Sequence, residues 1–302
     1  MYKKLMVTLD GSELSESILP YARLLARRLD LPVDLLRVVE REVIDVAVNP
    51  KRSYSHVDAE QDLRAASTHY LEGIAQSFAN ARKVNCVTFV GDPTEVIIEK
   101  AEEQDGTLIA MATHGRSGTQ RWYLGSVADK VLHASKSPML LVKGKENSGP
   151  HDQEATINKV LVPLDGSPLA EQALPHATTV ARALDAEIDL LRVYSLVSNV
   201  AFGEGYMPNF EQITESVREE ARVYLKTKAG ELTKEEVKHG DGIIKEGDAA
   251  AKIIDLAQET PNSLLAMCSH GRSGISRWVL GGTADRVIRY SGDPVLVVRA
   301  AE

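Results

Sequence analysis

The chain has 302 residues, 43% of them apolar, with a formal net charge of −8 and a sequence pI near 5.6. That length predicts two ordinary domains or one large one, with enough apolar sequence for substantial cores. The acidic balance and the absence of a Lys/Arg block argue against nucleic-acid or anionic-membrane partners, which need clustered positive charge.

The opening stretch MYKKLMVTLD has two lysines, but Asp10 interrupts its apolar run far short of a signal-peptide core. No run approaches the roughly 18 apolar residues of a membrane span. Five short apolar runs then read as strands: LMVTL (5–9), VDLLRVV (33–39), VTFV (87–90), TLIAMA (107–112) and MLLV (139–142). Their continuous apolarity suits strands covered on both faces. Between them, 12–29, roughly 58–80, 93–104 and 122–135 carry helical spacing. The last is the clearest, with Leu124, Val127, Ala128, Val131 and Leu132 on one face. Strand and helix in alternation predict a parallel, doubly wound sheet.

The same phrases then return at a nearly constant offset of about 155 residues. LMVTLDGS (5–12) becomes VLVPLDGS (160–167), VDLLRVV (33–39) becomes IDLLRVY (188–194), and GDPTEVII (91–98) becomes GDAAAKII (247–254). MATHGRSGTQRWYLGS (111–126) becomes MCSHGRSGISRWVLGG (267–282), and SPMLLVK (137–143) becomes DPVLVVR (293–299). Such ordered agreement marks the duplication of a whole domain. The polar, breaker-rich GKENSGPHDQEAT (144–156) reads as a linker between copies at 1–143 and 157–302. The two cysteines, Cys86 and Cys268, belong to no CxxC or Cys/His cluster. The expectation is a reduced, cytoplasmic chain with neither a disulfide framework nor structural zinc.

In doubly wound sheets ligands sit beyond the carboxyl ends of the strands, where the winding reverses. With strand 1 beside strand 4, that crevice brings DGS and THGRSG together. Gly115 lets the chain leave its strand with backbone N–H groups close to an anion, and Gly125-Ser126 opens the last helix. Ser126 with Asp129 gives an S-x-x-D capping pattern at a helix N-terminus that favours phosphate; a tight loop with an ordinary cap is the alternative. Asp10 and Asp165 can accept from a ribose hydroxyl or base amine, or merely turn the chain into the N-caps Ser12 and Ser167. His114 and His270 lack a nucleophile partner and read as ligand-shaping or structural. Arg116, Arg121, Arg272 and Arg277 either reach phosphates or face solvent, and Trp122 and Trp278 read as anchors of the last helix, with stacking on a base as the alternative. Neither a P-loop nor a G-x-G-x-x-G follows the first strand.

These residues resemble the universal stress protein family in its tandem form, over essentially the whole chain. The family's ATP-binding members carry G-x-x-G, nine residues, then G-[ST], with an Asp closing the first strand. Gly115, Gly125-Ser126 and Asp10 match; the first glycine is Ala112 here and Cys268 in the second copy, and Gly282 followed by Thr283 replaces Gly-Ser. The resemblance implies two α/β sheets of order 3-2-1-4-5, with adenine near Asp10 and Val38 and phosphates on the Gly115 loop and Ser126. It further implies an ATP or ADP ligand, with any Mg2+ carried by the nucleotide. Its first-half binding set also takes in Leu9, Met111, His114, Arg116 and Val127. In the second half the set is Leu164, Asp165, Val193 and Met267, then Cys268, His270, Gly271 and Arg272, then Gly281, Gly282 and Thr283.

A missing hydroxyl at Gly282 predicts the tighter site in the first half. The implied role is a cytoplasmic, nucleotide-dependent stress-response module; a slow ATPase and a nucleotide-free interaction module are the alternatives. The resemblance also implies pairing of the two copies through SPMLLVK and DPVLVVR, which protects strand edges within one chain or within a dimer of chains. The dissimilar segments 41–58 and 195–212 read as long loops suited to lids or partner surfaces.

Overall fold

A computed structural model describes residues 1–48, 55–113, 124–144, 153–195, 210–270 and 280–299. The chain forms two compact units, Met1–Thr156 and Ile157–Glu302. The first runs β1 (Lys4–Thr8), α1 (Glu13–Glu16), α2 (Leu19–Arg28), β2 (Val33–Val39), α3 (Arg41–Ala47), α4 (His56–Ala75), β3 (Val84–Val90), α5 (Pro93–Glu102), β4 (Thr107–Ala112), α6 (Ser126–Ala134) and β5 (Met139–Val142). The second runs β6 (Lys159–Pro163), α7 (Pro168–Glu171), α8 (Ala173–Leu184), β7 (Glu187–Tyr194), α9 (Phe210–Lys234), β8 (Ile243–Glu246), α10 (Ala249–Glu259), β9 (Ser263–Cys268), α11 (Gly282–Tyr290) and β10 (Val295–Val298).

Within the first unit the strand order is β3-β2-β1-β4-β5, and within the second β8-β7-β6-β9-β10. Every pairing inside a unit is parallel, and Val7 faces Leu35 of β2 on one side and Ala110 of β4 on the other. The winding therefore reverses at β1/β4 and again at β6/β9. Leu5, Val7, Leu108, Ile109 and Ala110 are fully buried, as a parallel sheet covered on both faces requires.

The structure refines four readings of the sequence. The helical stretch 12–29 divides into α1 and α2, because Pro20 near the start of α2 has no N–H and collides with the preceding turn. The third strand begins at Val84 rather than Val87, since β2 pairs along its full length from Val33↔Val84 to Val39↔Val90. Segment 41–58 is not simply a loop: α3 occupies Arg41–Ala47, and its Ile44 joins Val39 and Ala59 in a small core that Val48, Leu63 and Val90 cover. Finally, the end of the linker belongs to the first unit. Arg23 donates to Ser77 Oγ at 3.0 Å and Gln153 O at 3.2 Å, Ala155 N donates to Pro20 O at 3.1 Å, and Arg27 pairs with Glu154. Most of segment 195–212 lies outside the described residues.

Candidate functional site

Each unit has one cavity at its reversal point. The first, of about 370 Å3, is walled by Leu9 and Asp10 after β1, Val38 of β2, Met111 and Ala112 of β4, and Gly125, Ser126 and Val127 at the start of α6. The second, of about 270 Å3, is walled by Leu164, Asp165, Val193, Met267, Cys268, His270, Gly281, Gly282 and Thr283. Small-molecule pockets span roughly 300–1,000 Å3, so the first falls within that range and the second just below it. The residues singled out in sequence are thus brought together in space wherever the structure describes them. His114, Gly115, Arg116, Arg121, Trp122, Gly271, Arg272, Arg277 and Trp278 lie outside the described residues.

The acidic turn has the same form in both units. Asp10 Oδ1 accepts from the Ser12 backbone N–H at 2.8 Å and from the Ser12 hydroxyl at 2.6 Å; Asp165 Oδ1 holds Ser167 at 2.9 and 2.6 Å. Ser12 and Ser167 accept in turn from Ser15 N–H and Ala170 N–H, each at 3.2 Å, and so cap α1 and α7. Both alternatives for the aspartates therefore have a physical basis: each organises its own turn and each stands in the cavity wall.

At the opposite wall the capping assignment changes. Asp129 N bonds to Gly125 O at 2.8 Å and Asp285 N to Gly281 O at 2.9 Å, so glycine is the N-cap of α6 and of α11. Ser126 is the first helical residue and not a cap, which overturns the S-x-x-D reading. The shift arises because each glycine's N–H donates to the residue just past the preceding strand: Gly125 to Thr113 O after β4 and Gly281 to Ser269 O after β9. Ser12, Ser55, Asp92, Ser167 and Asp248 cap their helices with side chains, whereas α2, α3, α6, α8 and α11 start without a side-chain cap. Of these, α6 and α11 place their first-turn residues at matching positions in the two cavities. First-turn N–H groups lack partners within the helix and carry its positive dipole end, so each wall suits an anion.

The described wall of the second cavity includes a histidine. His270 Nδ1 lies 3.1 Å from Ser269 Oγ, while its buried Nε2 has no hydrogen-bond partner among the described residues. Burial, and then the Arg299 charge, holds its pKa below the usual histidine value, so the ring is neutral at pH 7. A buried ring nitrogen of this kind is a fitting partner for a ligand's polar group. Burial pushes the Cys268 thiol up, against a smaller opposing effect of the His270 and Ser269 backbone, so it is a neutral wall group rather than a thiolate nucleophile.

Sequence reasoning passed over Arg37, which lines the first cavity, and its counterpart Arg192. The available signal was an arginine repeated inside an otherwise apolar strand, LLRV in both copies.

Two doubly wound units, each holding an acidic turn opposite a glycine-started helix, define a tandem α/β protein with a cavity at each switch point. The chain belongs to the universal stress protein family, whose model matches residues 1–143 and 156–299. A universal stress protein of Methanocaldococcus jannaschii is 32% identical over 154 residues, covering 51% of this chain and 88% of the relative. One from Mycolicibacterium smegmatis is 23% identical over 297 residues, covering 98% and 96%. Among solved structures, a universal stress protein from Archaeoglobus fulgidus shares the fold with a TM-score of 0.67 at 22% identity, covering 99% of this chain and 97% of that one. Among the described residues, no helix is long and apolar enough to cross a membrane.

Proposed function

We propose that each unit binds ATP or ADP in its switch-point cavity, and that the protein is a nucleotide-dependent regulatory module of the cytoplasmic stress response. The adenosine lies at the acidic turn and the phosphates at the glycine-started helix. The observation that carries this reading is the pair of side-chain-uncapped helix starts, α6 and α11, each facing an aspartate across a switch-point cavity. Mg2+ travels with the nucleotide; among the described residues no group of three His, Cys, Asp or Glu stands ready to hold it.

Calorimetric titration of the full chain tests the reading. ATP is expected to fill two sites of unequal affinity. Val38→Trp, which fills the first cavity, removes the tighter site, and Val193→Trp removes the weaker one. Absence of ATP and ADP binding, or binding that both tryptophans leave intact, would reject it. The regulatory part also requires that bound nucleotide slow hydrogen exchange beyond the cavity walls, and exchange changes confined to those walls would reject that part.

The same reading includes pairing of the two copies through their last strands. Inside its own unit β5 pairs with β4, and β10 with β9, which gives each last strand one further edge to protect. A single chain then satisfies both edges. Sedimentation velocity at micromolar concentration is expected to return the 33.0 kDa monomer. A dimer that dissociates only when charges are placed in Leu140–Val142 or Leu296–Val298 would show instead that the edges pair between chains.

A further inference from the structure

Behind each acidic turn lies a second polar constellation with the same arginine, tyrosine and glutamate in the two units, to which the second adds a Lys228–Glu171 ion pair of 2.9 Å. The Arg37 guanidinium stands so close to Gly11 that a Cβ there would come within 2.8 Å of Nη2 and 2.9 Å of Cζ. It is also 5.1 Å from the centre of the Tyr70 ring. Tyr70 donates its hydroxyl to Glu16 Oε1 at 2.8 Å. Glu16 ends α1, the helix capped by Ser12, and Ser12 is bonded to Asp10. The contacts thus form a closed ring that begins and ends at the acidic turn.

In the second unit, a Cβ on Gly166 would come within 3.1 Å of Arg192 Cζ. Arg192 stands 5.1 Å from the Tyr224 ring, and Tyr224 donates to Glu171 Oε1 at 2.8 Å. Both tyrosines are pushed well above their usual range, by burial first and then by the hydrogen-bonded glutamate, so each remains a neutral donor. The tyrosines sit on α4 and α9, which otherwise diverge. Aligned on their tyrosines over the length of α4, these helices share only Arg64/Arg218, Tyr70/Tyr224, Leu71/Leu225 and Ala75/Ala229. Both leucines are core residues, and both arginines make exposed pairs within their own helix. The tyrosine is the one shared residue that reaches toward the turn. Burying Arg192 to 7% exposure in an apolar strand is costly, so its repetition needs a use beyond packing.

We propose that Arg37 and Arg192 are positioning residues for the nucleotide sites. Each clamps the acidic turn against the tyrosine of the long helix, so that Asp10 and Asp165 are held in the orientation that receives the nucleoside. The proposal rests on the nucleotide reading of the two cavities.

The test uses the full chain carrying Tyr70→Phe and Tyr224→Phe, which keep both rings and remove only the hydroxyls. Loss of a single hydrogen bond predicts roughly a threefold to tenfold weaker Kd. Because the turn serves the nucleoside and not the phosphates, adenosine and ATP are expected to weaken by the same factor. Glu16→Gln keeps an oxygen to accept from Tyr70 and is expected to bind within twofold of wild type, whereas Glu16→Ala is not. In the ligand-free protein, the Tyr→Phe chain is expected to exchange the Ser12 and Ser15 amide hydrogens faster. A folded variant with unchanged Kd, or a loss confined to ATP, overturns the positioning role while leaving the nucleotide reading intact. A wild-type chain that binds neither adenosine nor ATP fails the nucleotide reading itself and takes the positioning role with it.

Discussion

Replacing Gly282 with serine is expected to tighten ATP binding at the second site about tenfold, and replacing Ser126 with glycine to weaken the first by a similar factor. Hydrogen bonds to charged groups contribute about 1.5–3 kcal/mol, and 1.4 kcal/mol is tenfold in affinity. The substitution at 282 is sterically free, since nothing lies within 4 Å of a Cβ built there and the residue is exposed. It leaves the start of α11 unchanged, because Gly281, not Gly282, is the cap. The new hydroxyl would join the first-turn N–H groups at the phosphate wall. Thr283 is the competing source of a hydroxyl, since it too lines the second cavity. If Thr283 already serves, Gly282→Ser gains nothing and Thr283→Val loses the tenfold instead. A two-site calorimetric titration of the four chains separates these outcomes. Equal affinities in the wild type, with neither substitution changing either site, would remove the proposed asymmetry altogether.

What the sequence revealed of this site follows from where the physics is local. The strands and their alternation with helices follow from apolar runs of strand length and from a repeat that doubles every signal. The strand order, and with it the reversal point where Asp10 approaches Gly125, comes instead from the family resemblance. The error in the cap of α6 was one of register. Ser126 looks like a cap in sequence, but a bond from Gly125 N–H back to Thr113 O starts the helix one residue earlier, and that bond joins segments twelve residues apart. Helix α3 escapes a sequence reading because its propensity is modest; Ile44 is held by Val39 and Ala59, the latter fifteen residues further along the chain. Arg37 stands in the repeated LLRV, but nothing in that run points to Tyr70. Their meeting depends on β2 and α4 packing together.

Gly11→Ala and Gly166→Ala are expected to destabilise by about 2–4 kcal/mol each. Both positions have φ of +83°, a region costing a non-glycine residue about 1–3 kcal/mol. Each new methyl group also displaces a guanidinium from its tyrosine, forfeiting about 0.5–2 kcal/mol of cation–π attraction. For a unit of this size the loss corresponds to a fall in Tm of about 5–15 °C by calorimetry. The two should not be equal. Arg37 borders the first cavity and can swing into it, whereas Arg192 is only 7% exposed, so Gly166→Ala should cost more. The same chemical change at Gly73 or Gly230 should do the opposite. Both sit exposed inside long helices with nothing within 4 Å of a new Cβ, and alanine there should stabilise by about 0.5–1 kcal/mol. If Gly11→Ala and Gly166→Ala behave like Gly73→Ala, the guanidinium does not clamp the turn. If they lower Tm and also weaken adenosine binding at temperatures where both chains are fully folded, the residue that shapes the acidic turn is the one that shapes the site.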